Sequence, residues 1–273
     1  MPNRPHILIA IGPESESGRE FINGVANYAR LFGPWRIRWE PRGVQDLKSP
    51  LEKYAFDGAF VRDSDAGDVE AVLAAGIPSV VLLNKRRTVP GAVCVNTEDQ
   101  AVGKLVAAHF LQRGYKHFAF LGRVEAVWSD DREAAFGEAI REAGCEVDIC
   151  RATLIKAETG DGRFDSEPME IWLKNLPKPL ALMAVNDGFA RFAVELCHKN
   201  DIRVPEDCAV VGVGNDLIRC DLTDPPISSV ELLFQAAGRE AAALLARMIS
   251  GEKLGSLMVT AKAGDLVVRQ SSE

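Results

Sequence analysis

Histidine is scarce in this 273-residue chain, which holds four. His6 begins a strand-like run, His109 lies in a helical pattern, His117 opens a strand and His198 ends a helix. None stands in a strand-to-helix loop beside a serine or cysteine nucleophile, and neither a nucleophile elbow nor a phosphate-binding P-loop occurs. The expectation is a protein that is not an enzyme. The six cysteines (Cys94, Cys145, Cys150, Cys197, Cys208 and Cys220) have no metal-ligand spacing, and several fall inside apolar runs. That pattern predicts buried free thiols, with no metal and no disulfide framework. A dinucleotide fingerprint is missing too. Gly12 is followed by Pro13-Glu14-Ser15-Glu16-Ser17-Gly18, which lacks the required glycine spacing, and Gly212-Val213-Gly214 is only a fragment of it. No cofactor is implied. Basic charge is thin: the net charge is −7, the pI is about 5.3, and the densest cluster is Lys85-Arg86-Arg87. The chain therefore lacks the electrostatic footprint of a nucleic-acid binder, and the basic cluster is expected to be a solvated loop. No apolar stretch approaches the length of a membrane helix, and the first one, residues 7–11, is too short for a secretion signal. A cytoplasmic protein without membrane contact is expected.

What the chain does have is rhythm. A hydrophobic content of 47% and a charged content of 26% describe an ordinary globular protein, and the length allows one large or two modest domains. Short apolar runs (residues 6–11, 35–39, 58–61, 78–83, 92–95, 117–121, 147–150, 180–185, 209–213) alternate with helical patterns (20–31, 98–112, 132–143, 166–175, 189–199). Such alternation predicts an α/β fold of two doubly wound parallel-sheet lobes, with the first boundary near Gly122. The tail holds a strand-like run at 227–232, a helix at 235–249 closed by Gly251, and strands at 257–261 and 265–270. Too small for a domain, it must join the earlier sheets.

Two apolar runs end abruptly in polar residues. Residues 180–185 stop at Asn186-Asp187, and 209–213 stop at Gly214-Asn215-Asp216. Ligands of parallel sheets bind beyond the carboxyl ends of the strands, which makes Asn186, Asp187, Asn215 and Asp216 candidate ligand contacts. Helix capping would equally explain them. Arg132, preceded by Trp128-Ser129-Asp130-Asp131, could offer its fork of donors to hydroxyls while Trp128 supplies an apolar face for a sugar ring. A solvated arginine paired with Asp131 or Glu133 is the alternative. Asp130-Asp131 fits helix capping ahead of Arg132 better than acid–base work.

Together the residues resemble the effector-binding region of the LacI/GalR repressor family. The series comprises the strand ending at Gly122, Arg132 with Ala135-Phe136, Val185-Asn186-Asp187, Val204-Pro205-Glu206-Asp207, Val210-Val211-Gly212-Val213 with Asn215, and Pro225-Pro226-Ile227-Ser228-Ser229-Val230. The Pro-Pro and Ser-Ser-Val run, the Asn-Asp-x-x-Ala-Arg turn at 186–191 and Val267-Val268-Arg269-Gln270-Ser271-Ser272 are similar in particular to xylose-responsive XylR regulators. Those join such a region to a C-terminal AraC-type DNA-binding domain.

The resemblance covers nearly the whole chain and implies a periplasmic-binding-protein-like fold of type I. Its two lobes would be joined by three crossovers near Gly122, Val230 and Lys253, with residues 1–122 and 231–254 in the N-lobe and 123–230 and 255–273 in the C-lobe. It implies a monosaccharide or polyol in the cleft, with Arg132 and Asp187 as matched contacts and Glu98 at the acidic position after the last N-lobe strand. Glu14, Ser15 and Arg19 are looser candidates. Gly214 departs from the family, which commonly has a sugar-binding Asp there.

The implied function is the ligand-sensing domain of a sugar-responsive transcription regulator that transmits lobe closure to a DNA-binding domain C-terminal to this chain. DNA would be bound only through that missing domain. A homodimer through N-lobe helices is implied, with Val102, Leu105, Val106 and Phe110 available for it, although burial within the lobe suits most of them better. The alternative is the solute-binding protein of a sugar transporter. The absent secretion signal, the free cysteines and the Ser-Ser-Val run weigh against it.

Overall fold

The computed structural model describes residues 4–41, 47–63, 67–152, 154–155, 163–164 and 166–273. In chain order they form β1 (His6–Ala10), α1 (Glu16–Phe32), β2 (Arg36–Trp39), α2 (Lys48–Lys53), β3 (Gly58–Arg62), α3 (Asp68–Ala74), β4 (Ser79–Leu82) and β5 (Val93–Thr97). There follow α4 (Asp99–Gln112), β6 (His117–Arg123), α5 (Val127–Glu142), β7 (Val147–Ala152), the short pair β8 (Leu154–Ile155) and β9 (Arg163–Phe164), and α6 (Ser166–Asn175). The remainder is β10 (Leu180–Ala184), α7 (Asp187–Lys199), β11 (Cys208–Gly214), α8 (Leu217–Asp221), β12 (Ser228–Leu232), α9 (Phe234–Ile249), β13 (Met258–Ala261), β14 (Ala263–Val267) and a 3-10 turn at Gln270–Ser272.

These elements make two compact units, Met1–Thr97 with Leu233–Lys262 and Glu98–Leu232 with Ala263–Glu273. Each is built on a six-stranded sheet, in the order β13-β5-β4-β3-β1-β2 in the first and β14-β12-β11-β10-β6-β7 in the second. Within these two sheets all described pairings are parallel except β12 with β14, and the separate β8–β9 pair is antiparallel. The uniformly apolar runs are the central strands: β10 is buried along its whole length, as is β11 up to Gly214. Strands covered by helices on both faces need apolar side chains on both, which explains why no alternation appears in them.

The units divide at Thr97/Glu98, Leu232/Leu233 and Lys262/Ala263; the second division lies beside the crossover expected near Val230, whereas the first and third depart from those expected near Gly122 and Lys253. The first difference is the largest, since it moves α4 and β6 into the second unit. There β6 lies between β10 and β7, and α4 packs on α5. The helices approach closely because Gly103 has no side chain: a Cβ on it would stand 2.6 Å from both Phe136 N and Ala135 Cβ. In the first unit, α1 and α9 use the same device, a Cβ on Gly24 falling 2.2 Å from Gln235 O and one on Gly238 falling 2.3 Å from Phe21 O. Val102, Val106 and Phe110 of α4 are consequently buried in the core of the second unit, and Leu105 is half-buried.

Helix α5 begins at Val127, with Ala126 at its N-cap and no side-chain cap bond. Asp130 and Asp131 are thus inside the helix and not at its N-cap. Of the cysteines, Cys94, Cys197, Cys208 and Cys220 are buried free thiols, while Cys145 and Cys150 are half-buried.

The C-terminal segment is tied into the second unit by a chain of hydroxyls. Ser271 Oγ donates to Val210 O (2.6 Å) and accepts from Ser228 N (2.9 Å). Ser228 Oγ donates to Arg269 O (2.9 Å) and accepts from Arg269 N (2.7 Å) and from Ser272 Oγ (2.8 Å). Ser272 Oγ is left to accept from His109 Nε2 (2.8 Å), and His109 Nδ1 accepts from Arg113 Nη1 (3.0 Å). The surrounding donors assign the neutral Nε2–H tautomer to His109. Burial first and the Arg113 charge second push its pKa down to about 4. An unfolded histidine titrates near 6.5, so between these values the unfolded chain takes up a proton that the folded chain refuses. Stability should therefore fall as pH drops from about 6.5 to 4, by on the order of 3 kcal/mol in all. Urea denaturation of wild type and His109→Gln across that range checks this, since the variant should lose that part of the slope.

Candidate ligand-binding site

Seven of the ten candidate side chains lie in the second unit, where the carboxyl ends of β10 and β11 lead into α7 and α8. Asn186 is the N-cap of α7: its backbone is extended (φ −156°, ψ 175°), and its Oδ1 accepts from Phe189 N at 3.0 Å. The side chain is half-buried, and its amide nitrogen donates to no described residue. The capping and ligand-binding alternatives are therefore compatible here, since the cap occupies the oxygen alone.

Arg132 stands beside this turn. It is 3% exposed, donates from Nη1 to Val185 O (2.7 Å) and pairs through Nε with Asp99 Oδ1 (2.7 Å). Its guanidinium carbon is 5.1 Å from the centre of the Trp128 ring, at stacking distance. The solvated-arginine alternative fails on this burial, and Glu133 pairs with Arg151 instead. Arg132 lies in the second turn of α5, so its side chain reaches back past Trp128 toward Val185.

Asp187 has a different place. It is 2% exposed; its Oδ1 accepts from Ser229 Oγ (2.5 Å) and its Oδ2 from Asp216 N (2.7 Å). Burial pushes its carboxyl above the usual range, against the lowering effect of those two bonds. Two glycines make room for it, a Cβ on Gly212 falling 2.4 Å from Oδ1 and one on Gly214 3.1 Å from Oδ2. The carboxylate ties three strand ends together and is not presented at a surface.

Asn215, in the left-handed region at φ 55°, is equally engaged. Its Oδ1 accepts from Arg269 Nη2 (2.9 Å), its Nδ2 donates to Glu231 Oε1 (3.1 Å), and its backbone N–H donates to Ser229 Oγ (2.9 Å). Asp216, 3% exposed, caps α8 by position and pairs with Arg219 at 2.7 Å. Glu98, the residue before α4, accepts from Ala263 N at 3.1 Å.

The remaining three lie in the first unit after β1. Ser15 caps α1, its Oγ accepting from Gly18 N (3.2 Å) and from Arg62 Nη2 (3.3 Å). Arg19 Nη1 donates to Pro13 O (2.8 Å), and Glu14 is exposed. Beside them is a residue that sequence reasoning missed. Asp63, 1% exposed, accepts from the backbone N–H of Lys85 (2.9 Å) and Arg86 (2.8 Å) and pairs with Arg86 Nε (2.9 Å), holding the loop after β4.

Asp99, Ser229, Glu231 and Arg269 were missed in the second unit, though Ser229 and Arg269 sit in runs quoted for the family resemblance. Among the described residues no group of three His, Cys, Asp or Glu is arranged to hold a metal, and no helix is long and apolar enough to cross a membrane.

The Asp187 geometry predicts a structural role. Asp187→Ala leaves the Ser229 hydroxyl and the Asp216 N–H buried without the acceptor they now use, each costing roughly 1–3 kcal/mol, so the loss should be about 2–6 kcal/mol by urea denaturation. A change below about 1 kcal/mol would show that the two bonds contribute little to folding.

The architecture has relatives. The family of periplasmic binding protein-like domains matches residues 107–272. The xylose operon regulatory protein of Haemophilus influenzae is 25% identical over 243 residues, covering 86% of this chain, and the chain spans 62% of that relative's length. A solved structure of the xylose-binding transcription activator xylR superposes with a TM-score of 0.82 at 21% identity, covering 100% of this chain and 70% of that one. The structure of the transcriptional regulator CelR in complex with cellobiose gives a TM-score of 0.79 at 21% identity, with 99% and 86% covered. The α/β fold with two parallel sheets is that of type I periplasmic-binding-protein-like structures in the LacI family, and the chain is homologous to sugar-operon regulators. With the family match spanning more than half of the sequence, this chain belongs to the periplasmic binding protein-like domain family.

Proposed function

We propose that this chain is the ligand-sensing part of a sugar-responsive transcription regulator, and that Arg132, Trp128 and Asn186 grip a monosaccharide or related polyol. The observation that carries this is the Asn186 amide, a half-buried donor without a described partner at the carboxyl end of β10, next to the buried Arg132–Asp99 pair. A donor so placed favours a ligand that supplies acceptors, and Trp128 adds an apolar flank. Relatives named for xylose regulation and a similar fold solved with cellobiose support a sugar.

A regulator is favoured over a transporter's solute-binding protein because the similar proteins named above are regulators. The proposed role is binding and not catalysis, in the cytoplasm and without a cofactor. DNA is reached through a region outside this chain, of AraC type by the resemblance. Ligand binding would shift the conformational population that this region reads, in a homodimer. Dimerisation needs surfaces other than the buried Val102, Val106 and Phe110.

Gly214 bears on which sugar is bound. Its φ is 125°, strained for any side chain, and an Asp there would direct a second carboxylate at Asp187. Hydroxyl acceptors must come from elsewhere, so the ligand's hydroxyl pattern is expected to differ from that of relatives with the family's Asp.

A ligand that binds the folded state alone raises its melting temperature. Thermal-shift measurements with D-xylose, D-glucose, D-galacturonate and cellobiose at millimolar concentration should reveal a stabilising sugar. No shift with any sugar or polyol, alongside a shift with a nucleotide or amino acid, overturns the proposal. Asn186→Ser separates the two uses of that residue, because serine caps about as well as asparagine but has no amide. It should keep the wild-type melt and weaken sugar binding about tenfold, the loss of roughly one buried hydrogen bond.

A further inference from the structure

Arg132 carries a positive charge to the carboxyl end of β10, and Asp99 cancels it there. The two side chains are 4% and 7% exposed, with Nε and Oδ1 2.7 Å apart. Asp99 is the first residue of α4 and Arg132 lies on α5, so the pair bridges the two helices that Gly103 lets approach. A buried guanidinium without a counter-charge is costly, whereas a tight pair presents almost no net charge to anything beside it. The Val185 carbonyl and the Trp128 ring, which also touch the guanidinium, are uncharged.

The neighbouring strand ends repeat this compensation. Arg219 pairs with Asp216 at 2.7 Å, and Arg269 pairs with Asp221 at 3.1 Å. Glu231 on β12 accepts from the neutral Asn215 amide at 3.1 Å, which adds a carboxylate to the same end of the sheet. A ligand carboxylate or phosphate beside Asn186 would give up its hydration and find guanidiniums whose charge is already balanced. A sugar hydroxyl gives up far less and gains the same hydrogen bonds.

We infer that Asp99 sets the charge class of the ligand: by cancelling Arg132 it makes this end of the second unit select an uncharged sugar over a uronate or a sugar phosphate. The inference rests on the sugar-binding function proposed above. Asp99 acts through Arg132 and is a positioning residue, which neither the sequence pattern nor the family resemblance had assigned.

Calorimetric titration of the full chain tests it. D-xylose, D-glucose and D-glucuronate share their ring stereochemistry and differ in the group on C5, and D-galactose and D-galacturonate form a second matched set. Wild type should bind a neutral sugar at least about tenfold more tightly than the uronate of the same ring, and Asp99→Asn, which uncovers the Arg132 charge, should shift that ratio toward the uronate by about tenfold. A purely structural loss weakens both members of a set alike and leaves the ratio unchanged, so the ratio separates charge from packing. The double variant Asp99→Asn/Arg132→Gln holds neither buried charge and keeps the test open where the single variant does not fold. Its ratio should stay within about threefold of wild type, while a shift of about tenfold against the uronate would mean that the Arg132 charge was not cancelled and overturns the inference. Wild type that prefers a uronate, or a ratio that Asp99→Asn leaves unchanged, also overturns it and leaves the proposed function standing. Wild type that binds none of these sugars overturns both.

Discussion

Asp187 places a carboxylate where two glycines have left space, and the carboxyl ends of β10, β11 and β12 in the second unit are arranged around it. One oxygen receives the Ser229 hydroxyl from β12, and the other receives the Asp216 amide from the turn after β11. Three parallel strands, which share no hairpins, are brought to a common end by one side chain from the turn after β10. Ser229 passes the link onward, since its Oγ accepts from Asn215 N while donating to Asp187. Asn215 in turn binds Arg269, and the same segment carries Ser271 and Ser272 into the core. A buried carboxylate is tolerated there because both of its oxygens are bonded.

This division of labour leaves Asn186 and Arg132 differently equipped from Asp187. Arg132 is held by a charge partner on α4 and a carbonyl on the turn after β10, so its position is set before any ligand arrives. Asn186 uses one end for its helix and keeps the other as a donor. Preorganised polar groups beside an aromatic ring suit recognition of a polar ligand, because little side-chain entropy remains to be lost on binding.

Close helix pairs complete each unit. Gly24 and Gly238 let α1 and α9 approach to backbone contact, and Gly103 does the same for α4 against α5. The second of these contacts explains the division of the chain. Helix α4 follows β5 without a break in rhythm, yet its glycine face fits α5, and the strand it feeds, β6, fits between β10 and β7. Strand–helix alternation is the same within a unit and across a boundary, and so the periodicity alone set the boundary at Gly122, one helix and one strand too late.

The sequence by itself determined the class of fold and most of its elements. Uniform apolar runs that alternate with helical patterns suit parallel strands covered by helices on both faces, and helix α6 and the Asn186 turn fell where the pattern put them. Short helices such as α2, α3 and α8 escaped, because six, seven and five residues are too few to show a period. Only the tertiary structure decided which polar residue does what. Asn186 and Asp187 are neighbours with similar chemistry, but the backbone turns one side chain toward its helix cap and the other into the gap above Gly212, and no local pattern encodes that gap. Asp99 and Asp63 owe their surroundings to elements and loops distant in sequence. Their environments arise from packing, which a linear pattern does not contain.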